Sequence, residues 1–224
     1  LIYDDFEELI FKNHPLGKNI LGTVDSVRSI NGNDLVEFAK SYFNPENAVI
    51  SLVGNFTENK AKETLEKHFS EFDFESKVSI YKGSDYQYLK FNQLNKKANY
   101  QAHIMLGNSA YPYQHKNRRG LVLLNNILGG PALNSKLNLN IREKKGIAYN
   151  IESSYTPYRD AGFFSVYLGT DKKNIDQCLS LIQKEFDKLR EIKLGKIQLS
   201  QAKQQLTGQI SLSTENYVSQ MLGM

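Results

Sequence analysis

Apolar residues recur at helical spacing over residues 2–12, with Ile2, Phe6, Leu9 and Ile10 on one face. Asn13-His14-Pro15-Leu16-Gly17 then breaks the pattern. The first helix is expected to begin upstream of residue 1. A second amphipathic stretch runs to Phe43, capped by Asn33 or Asp34, with Leu35, Phe38, Ala39 and Tyr42 facing inward and Asn44-Pro45-Glu46-Asn47 ending it. Residues 48–54 form a compact β-branched run and read as a buried strand. Thr57 is placed to cap a helix in which Ala61, Leu65 and Phe69 recur at i, i+4 and i+8.

From about 73 to 92 the pattern weakens into a polar, Tyr-rich segment. The sequence therefore divides into 1–72, a linker or edge segment at 73–92, and 93–224. A strand is expected at 99–106 and helices at 117–128 and 133–143, the second stopped by Gly146. Residues 147–155 alternate as a strand with Ile147, Tyr149 and Ile151 on one face, and 163–169 return as the second arm of a hairpin. Asp171 is placed to cap a long helix with Ile175, Cys178, Leu179, Ile182, Phe186 and Leu189 as its inward stripe. Another helix fills 196–212, and the chain stops in a helical pattern. This order predicts an α+β fold, with helices layered on one face of a largely antiparallel mixed sheet.

Hydrophobic residues make up 40% of the 224 and charged residues 23%, ordinary values for a globular protein. The longest apolar runs fall far short of the ~20 residues of a membrane-spanning helix. The acidic opening Leu-Ile-Tyr-Asp-Asp-Phe-Glu-Glu does not read as a signal peptide. The net charge of +4 comes from scattered basic pairs with acids between them, whereas a nucleic-acid binder gathers its charge into a patch. One cysteine, Cys178, excludes an internal disulfide and a cysteine-based zinc site.

A hydrolytic zinc site needs about three protein ligands. The four histidines, His14, His68, His103 and His115, do not pair at helical ligand spacing. His68-Phe69-Ser70-Glu71-Phe72 approaches H-x-x-E-H but has phenylalanine at the second ligand position, so His68 reads as a partly buried helix-end residue. No metal ligands are assigned. Gly162-Phe163-Phe164-Ser165-Val166-Tyr167 resembles the aromatic strand of RNA-recognition sheets, without its companion motif. An RNA-binding α/β module is accordingly a competing reading, against a core-facing hairpin strand.

The informative stretch runs from Leu128-Gly129-Gly130-Pro131 through Ile141-Arg142-Glu143-Lys144-Lys145-Gly146 to Ile147-Ala148-Tyr149-Asn150. It is a Gly-rich turn, a short helix, a Gly stop and a strand. Such a reversal can carry Arg142 and Tyr149 to one rim, where a guanidinium fork and a phenol suit a peptide carbonyl becoming an oxyanion. Basic residues at a helix C-terminus also complement the helix dipole, which offers a purely structural reason for Arg142.

That stretch resembles the L-G-G-G-x-x-S-R-L…R-E-K-x-G-L-A-Y element of the insulinase/pitrilysin-type zinc metallopeptidases, including the seven-residue step from Arg142 to Tyr149. His14-Pro15-Leu16-Gly17…Ile20-Leu21-Gly22-Thr23 resembles the family's H-P-L-G-x-x-I-L-G-T. Tyr42-Phe43-Asn44-Pro45-Glu46-Asn47 with Val53-Gly54-Asn55 resembles its Y-x-P-x-N…V-G-D. Lys136 stands where the family has Arg, and Pro131 interrupts the Gly-rich turn.

The resemblance implies a clamshell metallopeptidase of repeated α/β units acting on polypeptides. Residues 1–72 would be the end of the first unit and 93–224 most of the second. The zinc-binding motif would lie before Leu1 and the second unit's final helices beyond Met224. Zinc would then be a cofactor of the full-length parent, with none expected in this fragment. Arg142 and Tyr149 would bind the substrate carbonyl, with Gly129 and Gly130 beside the substrate. The parent would be a homodimer or heterodimer of peptidase subunits, with neither nucleic acid nor membrane as partner. A zinc-free partner subunit of a two-subunit peptidase is the alternative.

Overall fold

A computed structural model describes residues 2–43, 48–70 and 88–223. The 44–47 tetrapeptide expected to end a helix and most of the 73–92 segment lie outside the described residues. The chain divides into two compact units, one of Leu1–Ile20 with Gly83–Leu206 and one of Leu21–Lys82 with Thr207–Met224.

The first unit is built on a three-stranded antiparallel sheet in the order β1-β3-β2, with β1 at Gln101–Ser109, β2 at Ala148–Pro157 and β3 at Gly162–Asp171. The α+β class expected from the pattern is the fold observed. Alternation along β3 sends Phe164, Val166 and Leu168 to one face, where α5 (Arg118–Gly129) and α6 (Ile175–Glu191) supply Leu128, Cys178 and Ile182 to a common core. Phe186 of α6 meets Phe164 edge-on at 6.4 Å. The expected stripe of α6 is present. It also includes Glu185, which is buried and pairs with Lys188 at 2.7 Å.

The opposite face is covered by α1 (Ile2–Ile10). Its Phe6 and Ile10 pack with Phe11 against Phe163 and Ala161, and Tyr3 stacks on Tyr167 at 5.2 Å. Asn13, at φ 67°, ends the helix, and His14 caps the 3₁₀ turn Pro15–Gly17 by accepting the Leu16 N–H at Nδ1. Gly17 lies so close to the Phe11 carbonyl that a β-carbon would stand 2.4 Å from its oxygen. The H-P-L-G stretch is thus a compact latch that closes α1.

The second unit carries α2 (Val24–Ser29), α3 (Gly32–Tyr42), α4 (Glu58–Phe69) and α8 (Tyr217–Gly223), and α7 (Lys196–Ser213) crosses the division. Thr57 caps α4 as expected, accepting from the Lys60 N–H. For α3 the cap is Asn31 rather than Asn33 or Asp34. Asp34 instead closes a capping box by accepting the Asn31 N–H. The expected inward face of α3 is largely exposed, with Leu35, Phe38 and Tyr42 open and the two aromatic rings stacked on each other. Residues 48–54 are not a strand, and Val49 is 93% exposed. A β-branched run becomes a strand only within a sheet, and the sheet seen among the described residues, β1-β3-β2, does not include it.

Candidate functional site

The reversal from α5 to β2 carries both expected site residues. α5 ends at Gly129 against the backbone of β2, where a β-carbon would stand 2.7 Å from the Ser153 nitrogen. A β-carbon on Gly130 would stand 2.8 Å from the Asn126 carbonyl oxygen. Both glycines therefore have a packing reason. Beside them a polar cavity of about 190 Å³ opens, lined by Asn126, Ser135, Lys136, Gln201 and Gln205 among others.

Of the helix expected over 133–143, residues 136–143 are helical, opening as an α-turn at 136–137 and continuing as a π-helix, Asn138–Glu143, after turns at 133–135. Its mark is the Lys144 N–H donating to the Leu139 carbonyl, five residues back, at 3.1 Å. A π-turn holds one more residue than an α-turn and often occurs at functional sites. Arg142 lies on it, exposed, and among the described residues no ion pair or side-chain hydrogen bond engages its guanidinium. Gly146, at φ 64°, reverses the chain, and its N–H donates to the Arg142 carbonyl.

β2 begins with a bulge. Ala148 faces Thr170 and Asn150 faces Gly169, so Tyr149 is an added residue on this strand. The expected alternation of Ile147, Tyr149 and Ile151 is broken as a result. Ala148 and Ile151 enter the core, and Tyr149 turns outward at 54% exposure. The end of β3 secures this geometry from two sides. Thr170, fully buried, donates its hydroxyl to the Ile147 carbonyl, and the Tyr149 hydroxyl donates to Asp171 Oδ1 at 3.0 Å. Asp171 precedes the 3₁₀ turn Lys172–Asn174 but makes no side-chain cap bond, contrary to the helix-capping role expected of it. Its carboxylate is committed to Tyr149, whose phenol pKa is raised first by that hydrogen bond and then by the charge.

The histidines are dispersed. His14 is buried in its turn, His68 is exposed, His103 Nδ1 lies 2.8 Å from the Tyr167 hydroxyl, and His115 stacks on Tyr111 at 4.0 Å. The exposure of His68 corrects its expected partial burial, since even the stripe residues Ala61 and Leu65 of α4 are only half-buried. Among the described residues no three His, Cys, Asp or Glu side chains are grouped to hold a metal, so these residues do not fit a zinc site. No helix among them is long and apolar enough to cross a membrane. Cys178 is free and fully buried, which pushes its thiol pKa up. Of the aromatic residues on β3, Phe163 is buried beneath Phe6 and Phe11 and Tyr167 lies under Tyr3, so neither ring is an open stacking platform.

Residues 29–206, a span holding the Gly-rich turn, Arg142 and Tyr149, match the family model described as the peptidase M16 inactive domain. The chain belongs to the peptidase M16 family. The insulinase/pitrilysin resemblance read from the motifs is this family. Among M16 relatives, an uncharacterized zinc protease, YmxG of Bacillus subtilis, is 31% identical over 99% of this chain and 53% of its own length. The mouse mitochondrial-processing peptidase subunit beta is 22% identical over 84% of this chain and 40% of its own. A protease from Helicobacter pylori has the same fold, with a TM-score of 0.84 at 20% identity over 97% of this chain and 54% of that one. The chain spans about half the length of the curated relatives it matches.

Proposed function

We infer that this chain is the substrate-side part of a longer zinc-dependent peptidase that hydrolyses peptide bonds in unfolded or short polypeptides. Arg142 and Tyr149 hold the substrate carbonyl as it becomes a tetrahedral oxyanion. The observation that carries this reading is the placement of both side chains, exposed, on either side of the Gly146 reversal and inside the family span. Arg142 offers a planar fork of N–H donors and Tyr149 a single O–H. Donors set in place before the reaction stabilise developing charge without having to reorganise. Gly129, Gly130 and the polar cavity beside them border the bound polypeptide in this reading. Residues 1–72 are the end of one repeat unit and 93–224 most of the next, and the zinc is held in another part of the longer protein. The role of this chain is binding and charge stabilisation, in a homodimer or heterodimer.

The description of the matched domain as inactive fits a second reading as well, a zinc-free partner subunit that lends the same pair to a zinc-bearing one. In the full-length protein, Arg142→Ala and Tyr149→Phe should each lower kcat on an unstructured fluorogenic peptide by about a hundredfold, as for lost oxyanion donors. Thermal unfolding should barely move, because both groups are exposed. Arg142→Lys should recover only part of the loss, since an ammonium lacks the planar fork. Normal kcat/KM in both variants would remove the assigned role. Zinc content separates the readings. About one zinc per full-length chain supports the first, and none, with turnover only after mixing with a zinc-bearing subunit, supports the second.

A further inference from the structure

We propose that Asp171 is the positioning residue for Tyr149, accepting the hydrogen bond of the phenol's one O–H in the unloaded chain and so fixing the ring in the orientation from which it turns to substrate. The inference rests on the role proposed for Tyr149. Its grounds are geometric. Tyr149 occupies the added position of a bulge, where the ladder does not hold the residue by pairing. Two adjacent residues at the end of β3 supply what the ladder lacks. Thr170 ties down the carbonyl of Ile147 just before the bulge, and Asp171 receives the hydroxyl at 3.0 Å. The carboxylate does not cap the turn that follows it, so the bond to Tyr149 is the side-chain hydrogen bond it makes.

A phenol carries one O–H and two lone pairs. While its proton points at Asp171, the Tyr149 oxygen can only accept from other partners. To stabilise an oxyanion it must exchange one oxygen acceptor for another, the carboxylate for the substrate oxygen, by rotation about its C–O bond. No covalent bond forms or breaks in that exchange. Asp171 thus limits where the ring can stand without itself touching substrate. The raised phenol pKa accords with a carboxylate held this close.

Two measurements on the full-length protein test the proposal. In the first, tyrosine labelled with ¹³C at Cζ is titrated, and the Tyr149 signal is identified by its loss in Tyr149→Phe. Asp171→Ala should move the Tyr149 titration to lower pH, and an unchanged titration would overturn the proposal. In the second, Asp171→Ala should lower kcat on an unstructured fluorogenic peptide about tenfold with KM nearly constant, within the hundredfold that a misplacement of about 1 Å can bring. Asp171→Asn, which keeps a carbonyl acceptor, should recover most of that rate. In a Tyr149→Phe background neither Asp171 substitution should lower kcat further. An equal loss in that background would mark a merely structural effect, and unchanged kcat beside an impaired Tyr149→Phe would remove the positioning role. Full activity of Tyr149→Phe would take away the underlying reading and the proposal with it. That failure is recognisable because the phenol titration would still respond to Asp171→Ala.

Discussion

Gly107 of β1 lies against Phe6 of α1 so closely that a β-carbon on the glycine would stand 2.5 Å from Phe6 Cζ and 2.4 Å from the Phe164 carbonyl oxygen. The aromatic face of the sheet is closed by α1 because one residue beneath it has no side chain. Gly107→Ala should therefore lift Phe6 from the sheet and destabilise the first unit by about 1–3 kcal/mol, as overpacking typically does. Chemical denaturation of the chain measures the loss. Phe6→Leu in the same background should recover part of it by vacating the ring's edge, and a neutral Gly107→Ala would contradict the packing.

Gly146 presents a different case, since a β-carbon there would meet nothing within 4 Å. Its φ of 64° is the whole reason for glycine. Gly146→Ala should cost about 1 kcal/mol, and Gly146→Asn less, because asparagine tolerates the left-handed region. Urea unfolding midpoints should rank glycine above asparagine above alanine. A tie between alanine and glycine would show that the reversal opens in solution.

Glu7 supplies a pH dependence. Burial on the inner side of α1 raises its carboxyl pKa, the Tyr158 hydroxyl 3.4 Å away lowers it, and Asp4 adds to the rise. With the net shift upward, the folded chain holds this proton more tightly than the unfolded chain does. The associated stability is fully present below the ordinary carboxylate pKa and is lost as pH rises through the raised one. Glu7→Gln keeps the shape without the titration. The difference in unfolding midpoint between Glu7→Gln and the parent should grow as pH rises from acid toward neutral and then level off. A difference independent of pH would contradict the burial.

Much of this was legible along the chain wherever a local rule decides the outcome. Thr57 caps α4 because its hydroxyl reaches an N–H three residues on. The hairpin of β2 and β3 follows its turn residues and, beyond the bulge, its alternation, and Cys178 and Ile182 face the core as their spacing requires. Arg142 and Tyr149 were candidates from their motif, and both stand exposed on either side of the Gly146 reversal. The bulge that turns Tyr149 outward was not legible there, because it is set by Thr170 and Asp171 more than twenty residues later. Asp171 itself looked like a helix cap, a local role that a cross-strand partner displaces. The π-helix under Arg142 and the exposed face of α3 escaped for the same reason, since both depend on what packs alongside rather than on their own residues.

The bulge at Tyr149 makes the candidate site depend on a count. In a regular strand running back from buried Ile151, every second side chain would point inward and Tyr149 would be next. One surplus residue undoes that parity and leaves the phenol facing water. Insertions and deletions between Gly146 and Ile151 are then more disruptive than most substitutions there. The stretch of backbone from Arg142 to Tyr149 works as a ruler of fixed length, with the bulge as one of its divisions.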